Sequence, residues 1–311
     1  MQVLILGSGA GGGLPQWNCG CPQCLAVRAG QPSVTPRTQS SIAVSADGER
    51  WALFNCSPDV RAQLAATPEL HPRSLRDATV RAVALSNADI DHAAGLLVLR
   101  EGGAPPVYCT ARVRRALTEG LRVLPALTAY GEVAVREVTP GEWVTLRDKA
   151  GEDLGLRARA FTVASKPPPY LAPLLTADEA ADLHAGDTVG WCVRAGEDGP
   201  SLVYVPGVKV LDEALRAELA AAALVLIDGT CFTDDEMVEL GASTKTAQAM
   251  GHAPITGDGG TLDLLRGLDG PRRVFVHLNN TNPVLDEASG AYRVVRDAGV
   301  EVAKDGDRFT L

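Results

Sequence analysis

Short aliphatic runs bounded by glycine and polar residues recur along the chain, and this pattern predicts β-strands. The predicted strands span residues 3–6, 40–44, 51–54, 80–85, 107–108, 157–164, 189–193, 202–205, 224–227, 274–276 and 308–311. Stretches with helical spacing of apolar residues predict helices at 58–64, 93–99, 111–117, 212–221, 244–250, 262–268 and 287–297. Strands dominate the first part and alternate with helices later, which is typical of an α/β protein of layered sheets with helices outside.

Residues 166–187 differ from the rest of the chain. They carry the run Pro167-Pro168-Pro169 and then a polar helix, which predicts a lid or an insertion over one face. Residues 133–156 are poorly periodic and predict short strands and turns. No linker, short repeat or change of charge sign divides the 311 residues, so we expect a single domain.

Composition and charge weigh against several classes of protein. Hydrophobic residues make up 46% and charged residues 22% of the chain, which is ordinary for a globular protein. The formal net charge of −9 argues against a nucleic-acid partner, and Lys166 and Lys209 are isolated in the sequence. The chain contains no run of about 18 apolar residues, so no membrane span is predicted. The N-terminus lacks the basic segment of a signal peptide, so we expect a cytoplasmic protein with reduced cysteines.

A glycine-rich turn follows the first predicted strand. Residues 7–12 match the pattern G-x-G-x-x-G, which in dinucleotide-binding proteins opens a helix and precedes an acidic residue by about 20 positions. Here Leu14-Pro15 follows at once, and no acidic residue occurs before Asp47. The pattern therefore favours a tight turn beside a site over a nucleotide site.

Three cysteines, Cys19, Cys21 and Cys24, lie within one short loop and predict a metal site. Thiolates suit zinc, and a closed tetrahedral site can fix a loop that has no core of its own. The fourth ligand must come from elsewhere, and the alternatives are three free thiols or one disulfide. The other four cysteines lie in or beside predicted strands and are expected to be small core residues: Cys56, Cys109, Cys192 and Cys231.

A polar loop, residues 86–92, connects an aliphatic strand to an apolar helix. It holds Asn87, Asp89, Asp91 and His92, which offer three side-chain oxygen donors and one imidazole at a junction that commonly carries ligands. The alternative is a solvated helix N-terminus, in which the two aspartates cap the helix and complement its dipole. The loop alone does not decide between these two interpretations.

The chain has only five histidines, and two of those outside this loop stand at positions that suit a site. His277 ends a predicted strand and is followed by amide side chains, which is typical of a metal ligand with orienting partners. His252 lies between a glycine and a proline that break the preceding helix, so its imidazole is expected on a loop. The alternative for both is a half-buried structural histidine. His71 and His184 lie in polar stretches and are expected to be exposed.

These segments together resemble the metallo-β-lactamase-fold superfamily. Residues 86–92 stand where its enzymes carry the motif H-x-H-x-D-H, and residues 53–63 resemble the preceding segment of the phosphodiesterase branch. Gly251-His252 and residues 276–280 resemble two later histidine motifs of that branch, where the cysteine cluster also recurs as a zinc site. The asparagine in the first motif, the C-x-C-x-x-C loop and the run H-L-N-N-T-N-P resemble a family of pyrroloquinoline quinone (PQQ) biosynthesis proteins. The resemblance covers nearly the whole chain and implies an αββα sandwich.

Departures from the hydrolase motifs weigh against a dinuclear hydrolytic centre. Asn87 and Asp89 replace two histidines of the first metal, and Pro206 stands where the hydrolases carry a bridging aspartate. No histidine occurs near Ser165, where a third ligand of that metal is expected. The resemblance leaves the ligands of the second metal: Asp91, His92 and His277.

Two histidines and one carboxylate with open coordination positions suit non-haem Fe(II) chemistry. The resemblance implies the same, namely hydroxylation by dioxygen of the tyrosine ring in a Glu-Tyr-derived precursor of PQQ. His252 and Asp89 are the predicted catalytic residues, and Asn279 and Asn282 are predicted to bind substrate. Zinc is expected at the cysteine cluster, with Asn280 or a water as fourth ligand, since Asn280 stands where relatives carry a histidine that completes the site.

Two other functions remain open from the sequence. One is a carrier that helps to transport PQQ or its precursor, and the other is a mononuclear zinc hydrolase that uses bound water as nucleophile. The expected partner is a small peptide-derived or PQQ-like substrate, without nucleic acid or a membrane span. A homodimer is left open.

Overall fold

Two seven-stranded sheets form the centre of the computed structural model, which describes residues 1–311. The first sheet contains β1 (Gln2–Gly7), β2 (Ser41–Ser45), β3 (Trp51–Phe54), β4 (Val80–Ala84), β5 (Val107–Cys109), β6 (Val135–Glu137) and β14 (Arg308–Thr310). The second contains β7 (Trp143–Arg147), β8 (Asp153–Thr162), β9 (Val189–Ala195), β10 (Ser201–Val205), β11 (Leu224–Asp228), β12 (Arg272–Val276) and β13 (Glu301–Val302).

Each sheet is antiparallel on one side and parallel on the other. The first has the order β14-β1-β2-β3-β4-β5-β6 and is parallel from β3 to β6. The second has the order β13-β12-β11-β10-β9-β8-β7 and is parallel from β13 to β10. Parallel strands end at the same edge of a sheet, and loops at such edges are where α/β proteins bind ligands. Here the loops after β4, β11 and β12 line one common cleft.

Short helices cover the outer faces of both sheets. They are α1 (Pro22–Arg28), α2 (Val60–Ala66), α3 (Ile90–Ala93), α4 (Ala111–Arg115), α5 (Val123–Thr128), α6 (Ala177–Ala181), α7 (Glu213–Ala220), α8 (Glu236–Glu239), α9 (Ala247–Met250), α10 (Thr261–Arg266) and α11 (Gly290–Asp297). Tighter 3₁₀ turns occur at Pro68–Leu70, Ala94–Arg100, Pro169–Leu174 and Pro283–Leu285, and a π-helical turn at Ala116–Gly120. None of the helices has the length and apolar run needed to cross a membrane.

Three apolar layers hold the strands and helices together. The middle layer, between the sheets, has 26 buried residues and includes Phe54 and Trp191, whose rings meet edge to face at 5.7 Å. The two outer layers, between each sheet and its helices, have 25 and 23 buried residues. Three layers of similar size are what a helix–sheet–sheet–helix arrangement requires, so the predicted αββα sandwich is confirmed.

The predicted strands agree with the observed ones, whereas several predicted helices are shorter. The helix predicted at 58–64 begins only at Val60, because the Ser57 hydroxyl accepts the Asp59 N–H in a turn instead of capping a helix at residue 58. The helix predicted at 244–250 is reduced to α9, which Thr246 caps by accepting the Ala249 N–H. The helix predicted at 93–99 is a 3₁₀ turn, and α3 precedes it at a place where a loop was expected.

Gly95 explains the tight turn after α3. A Cβ at this position would lie 2.1 Å from the Ser57 carbonyl oxygen and 2.7 Å from that of Cys56, so only glycine allows this approach. The Gly95 N–H donates to Cys56 O at 2.9 Å, and the Cys56 N–H donates to His92 O at 2.7 Å. The helix α3 and the turn after it are thereby held against the segment that follows β3.

Gly95→Ala is expected to lower the free energy of unfolding by about 1–3 kcal/mol, because either Ser57 or the loop must move to admit a methyl group. Urea unfolding of the metal-loaded protein measures this change. Gly131→Ala is a matched control, since no atom lies within 4 Å of its Cβ position, and its effect should stay within about 0.5 kcal/mol. Equal stability of the two variants would show that the close approach at Gly95 does not exist.

Candidate metal centres

A cleft of about 470 Å³ lies at the edge where the C-terminal ends of β4, β11 and β12 meet. Its walls come from the polar loop 86–92, from Thr230 after β11, from His277 after β12 and from the loops at residues 165–169 and 250–252. Most of its lining side chains are polar or charged, in contrast to the apolar layers on either side. The cleft therefore brings together the segments that were predicted from the sequence to carry the site residues.

Asp91, His92 and His277 converge in this cleft. The Asp91 Oδ2 atom lies 3.3 Å from Nε2 of His277 and 3.8 Å from Nε2 of His92. Although burial opposes ionisation, the two histidines hold the pKa of Asp91 well below its usual range. Asp91 and His92 were expected in a loop, but they lie in the single helical turn α3. Such a short helix still allows adjacent side chains to approach a common point.

The imidazole of His92 is oriented by Asn87. Its Nδ1 lies 2.7 Å from Asn87 Oδ1, which also accepts the Asp89 N–H at 3.1 Å, while Asn87 Nδ2 donates to the Asp89 carboxylate at 2.8 Å. This network turns the amide oxygen towards His92, so Nδ1 carries the proton and Nε2 keeps its lone pair. Burial lowers the pKa of His92 to about 4, which keeps the ring neutral. Its Nε2 is buried without a hydrogen-bond partner, and a metal ion would satisfy it.

His277 is oriented in the same manner from the other sheet. Its Nδ1 lies 2.8 Å from the Thr230 hydroxyl, which in turn donates to Asp228 Oδ1 at 2.6 Å. The backbone of His277 has a φ of +56°, an unfavourable value for a residue with a side chain, at the point where β12 ends. Both imidazoles thus bind a protein acceptor through Nδ1 and direct Nε2 at Asp91. This donor set fits a divalent transition-metal ion.

His252 lies beside these three residues but has a different partner. Its Nδ1 donates to Asp228 Oδ2 at 2.6 Å, and its ring stacks on that of His277 with 5.2 Å between centroids. Burial lowers the pKa of His252, but the Asp228 charge outweighs this effect and raises it overall. Asp228 also accepts backbone N–H groups from Val208 and Thr230. Its oxygens are therefore occupied by protein donors, and we interpret the cluster Asp228, His252 and His277 as an orienting network.

The remaining predicted site residues of the cleft behave differently from one another. Asp89 lines the cleft, and burial together with the Asp91 charge raises its pKa to about 6. Asn279 also lines the cleft, where its amide is held by Thr281. Asn282 does not: it is fully buried, its Nδ2 donates to Gly229 O and its Oδ1 accepts the Val284 N–H. That Asn282 contacts substrate stays a prediction, and in this structure its amide fixes the backbone between β11 and β12.

Cys19, Cys21 and Cys24 form a second cluster, with sulfur atoms within 4.8 Å of one another. The Asn280 amide nitrogen lies 3.0, 3.5 and 3.4 Å from these three sulfur atoms, respectively, and the Cys21 thiol donates to the Asn280 carbonyl. Burial and the neighbouring thiols raise the pKa of Cys21 to about 11. Three sulfur atoms this close ionise together only when a cation compensates their charge, so the cluster suits a metal. The four remaining cysteines are buried, as expected.

The glycine-rich turn after β1 closes the cleft on one side. No helix follows it, as expected, and the Ala10 N–H donates to Leu278 O at 2.8 Å while the Leu278 N–H donates to Ser8 O at 2.9 Å. These bonds join the two sheets beside His277. A Cβ at Gly11 would lie 3.4 Å from Asp91 Oδ2, so the turn passes close to the ligands. His71 and His184 are exposed and do not line the cleft.

Sequence reasoning missed several residues that orient the site. Asp228 ends the aliphatic strand β11 and Thr230 comes just after it, much as His277 follows β12, and this polar strand end was the available signal. Glu236 accepts the Thr281 hydroxyl at 2.5 Å behind Asn279, and burial raises its pKa to about 7. No sequence pattern indicated Glu236, since its role depends on a contact across 45 residues.

A family model and two relatives match this chain over most or all of its length. A model of the beta-lactamase superfamily domain matches residues 50–278. The coenzyme PQQ synthesis protein B of Methylococcus capsulatus is 43% identical over 314 aligned residues, and that of Methylobacterium nodulans is 47% identical over 312. Both alignments cover the whole of each chain.

Solved structures give the same result. The crystal structure of Zn²⁺-bound PqqB from Methylobacterium extorquens matches with a TM-score of 0.90 and 43% identity over the full length of both chains. A diphosphatase of the PhnP family matches with a TM-score of 0.65 at 18% identity, over 99% of this chain and 96% of its own, and shares the fold alone. The chain therefore belongs to the PqqB family of coenzyme PQQ synthesis proteins, within the beta-lactamase superfamily.

Proposed function

We propose that this protein of PQQ biosynthesis is a mononuclear non-haem Fe(II) oxygenase that hydroxylates the tyrosine ring of a Glu-Tyr-derived precursor. The observation that carries the proposal is the convergence of Asp91, His92 and His277, in which both imidazoles direct Nε2 at the carboxylate. Two histidines and one carboxylate that leave further positions open are typical of non-haem iron oxygenases. Names in the family support the pathway, and the geometry supports the choice of reaction.

The residues around the ligand set favour one metal over two. A second ion would need donors at the position of Asn87, but that amide is engaged with His92 and Asp89. Asp228 is the other candidate ligand of a second ion, but its carboxylate oxygens accept hydrogen bonds from His252 and Thr230. When bound, iron supplies the capacity to activate dioxygen. Insertion of one oxygen atom into the ring releases the other as water and consumes two electrons and two protons, which ascorbate can supply in an assay.

His252 and Asp89 have the positions of proton-transferring groups. Both line the cleft, and the hydrogen bond of His252 to Asp228 uses Nδ1 and leaves Nε2 for the substrate. An imidazole backed by a carboxylate is suited to accept the proton of a phenol. Asp89, with a pKa raised to about 6, can hold or release a proton near neutral pH. Asn279 offers a fixed amide for binding the substrate.

Residues 166–187 are proposed to cover the cleft as a lid. Pro167 and Pro169 line it, and the Tyr170 hydroxyl donates to Ala88 O in the polar loop. At the far end of the segment, Arg112 pairs with Asp187 at 2.8 Å. Contacts at both ends hold the segment beside the ligands, where it can restrict the access of water.

The cysteine cluster is proposed to hold a structural zinc ion. Cys19, Cys21 and Cys24 supply thiolates, and either Asn280 or a water would complete the site. Asn280 would bind through its amide oxygen, which requires that the amide be turned over, since its nitrogen faces the sulfur atoms. Zinc of this kind stabilises a loop and takes no part in the reaction. The Zn²⁺-bound structure from the same family is consistent with zinc binding.

The first experiment tests the oxygenase directly. Anaerobic reconstitution with Fe(II), followed by oxygen and ascorbate, should add one oxygen atom to a Glu-Tyr substrate, as measured by mass spectrometry. His92→Ala and His277→Ala should each abolish this product and weaken iron binding by more than the roughly 10–100-fold typical of an outer-shell change. His184→Ala, at an exposed histidine, is the matched control and should keep both. Peptide hydrolysis without oxygen uptake would favour the hydrolase, and tight binding of PQQ without turnover would favour the carrier.

The second prediction concerns His252. His252→Ala should leave the iron content unchanged and reduce turnover by about 10²–10⁴-fold, the range expected for loss of a general acid or base. Iron analysis and single-turnover kinetics measure the two effects separately. Loss of iron would instead make His252 a ligand, and unchanged turnover would give it a structural role only.

The third prediction concerns zinc. Cys21→Ser should remove one equivalent of zinc and lower the melting temperature, because the loop loses its cross-link. Metal analysis and thermal unfolding measure these effects, with Cys109→Ser in β5 as a control that should retain zinc. An intact zinc content in Cys21→Ser would contradict the assignment.

A further inference from the structure

Three of the five lysines of the chain lie in or beside the metal cleft. Lys166 and Lys245 line the cleft, although they are distant in the sequence. Lys209 belongs to the same group, because its N–H donates to Ala164 O at 2.9 Å and its charge acts on Lys166. Lys166 and Lys209 are far apart in the sequence, but the fold brings them close enough for their charges to interact. We refer to Lys166, Lys209 and Lys245 as the lysine wall.

None of these three amines is paired with a carboxylate. Lys304, by contrast, forms an ion pair with Glu287, and most arginines with ion pairs lie on the outer surface. The Lys166 ammonium donates to Ala249 O at 2.6 Å and forms no ion pair, although the more distant charge of Asp89 acts on it. Burial and the charges of Lys245 and Lys209 lower the pKa of Lys166. Unpaired like charges gathered in one place, in a protein of net charge −9, are stabilised when an anion binds.

Lys166 is held next to the catalytic groups. Its side chain lies over Gly251, where a Cβ would be 3.2 Å from Lys166 Cε, and Gly251 directly precedes His252. Its charge also acts on Asp89 across the cleft. The amines of Lys166 and Lys245 and the candidate metal ligands therefore line the same cleft.

We propose that the lysine wall is a carboxylate-binding subsite that selects acidic peptide-derived substrates. A Glu-Tyr substrate carries two carboxylates, the glutamyl side chain and the C-terminus, and its phenol would then face the metal ligands. Two amines on separate segments suit two separate carboxylates, whereas no arginine lines the cleft to form the bidentate contacts that phosphate favours. The identity of the substrate rests on the proposed function, but an anion-binding wall does not.

The test is calorimetric titration of the zinc-loaded full-length protein without oxygen, so that no turnover is needed. The probes are the dipeptide Glu-Tyr, its neutral analogue Gln-Tyr-amide and inorganic phosphate. Glu-Tyr should bind more tightly than Gln-Tyr-amide, and the ratio of their affinities should fall by about 10-fold in Lys166→Gln/Lys245→Gln, as expected for charge-assisted hydrogen bonds. The matched control is Lys149→Gln, since Lys149 is exposed and borders another cavity. That variant should keep the ratio of the unmodified protein.

The outcomes separate this proposal from the oxygenase. Equal affinities for acid and amide, or equal weakening of both by the double substitution, would overturn the lysine wall whatever the reaction is. Displacement of Glu-Tyr by phosphate at similar concentrations would assign the wall to phosphate and overturn its assignment to carboxylates. Discrimination by the wall without any hydroxylation in the iron assay would support the subsite and reject the oxygenase. Zinc content and thermal unfolding check that each variant is folded.

Discussion

The buried carboxylate of Asp228 is the group on which the geometry of the cleft depends. It has no exposed surface, and its charge is compensated by the imidazole of His252, the hydroxyl of Thr230 and two backbone N–H groups. Through Thr230 it fixes the Nδ1 atom of His277, and directly it fixes that of His252. A buried carboxylate without such donors would be costly, so the donors and the acceptor hold one another in place. One residue at the end of β11 thus sets the orientation of two histidines that come from different loops.

The segment that follows β12 connects the two candidate metal centres. His277 directs its ring into the cleft, and three residues later Asn280 places its amide against the sulfur atoms of the cysteine cluster. Between them, Leu278 pairs with the glycine-rich turn after β1 and so ties the two sheets together. Loosening of the cysteine loop would be transmitted along this short segment to His277. A structural ion here would therefore support the active site by rigidity alone, without any contact with the substrate.

Local patterns predicted the strands and the residues at their ends, because a buried strand needs consecutive apolar residues and stops where polar groups begin. That is why His277 and the loop 86–92 could be assigned from the sequence. The length of α3 could not be predicted from the sequence, since it depends on the close approach of Gly95 to Ser57 in a separate segment. The burial of Asn282 could not be inferred either, since it depends on a contact with Gly229 in a separate segment. The lysine wall could not be predicted from the sequence either, because its three lysines are distant in the chain and come together only in the fold.

The replacement of histidine by asparagine at position 87 changes what this loop can do. An imidazole at that position in the motif H-x-H-x-D-H would be a metal ligand, whereas the amide of Asn87 accepts from Nδ1 of His92 and donates to Asp89. The residue thus supports a ligand instead of being one. The amide oxygen of Asn87 already accepts hydrogen bonds from His92 and Asp89, so it is not available as a ligand of a second metal ion. Its amide nitrogen donates to the Asp89 carboxylate. The asparagine at position 87 is therefore one of the departures from the two-metal motif, and in this structure it orients the imidazole of His92.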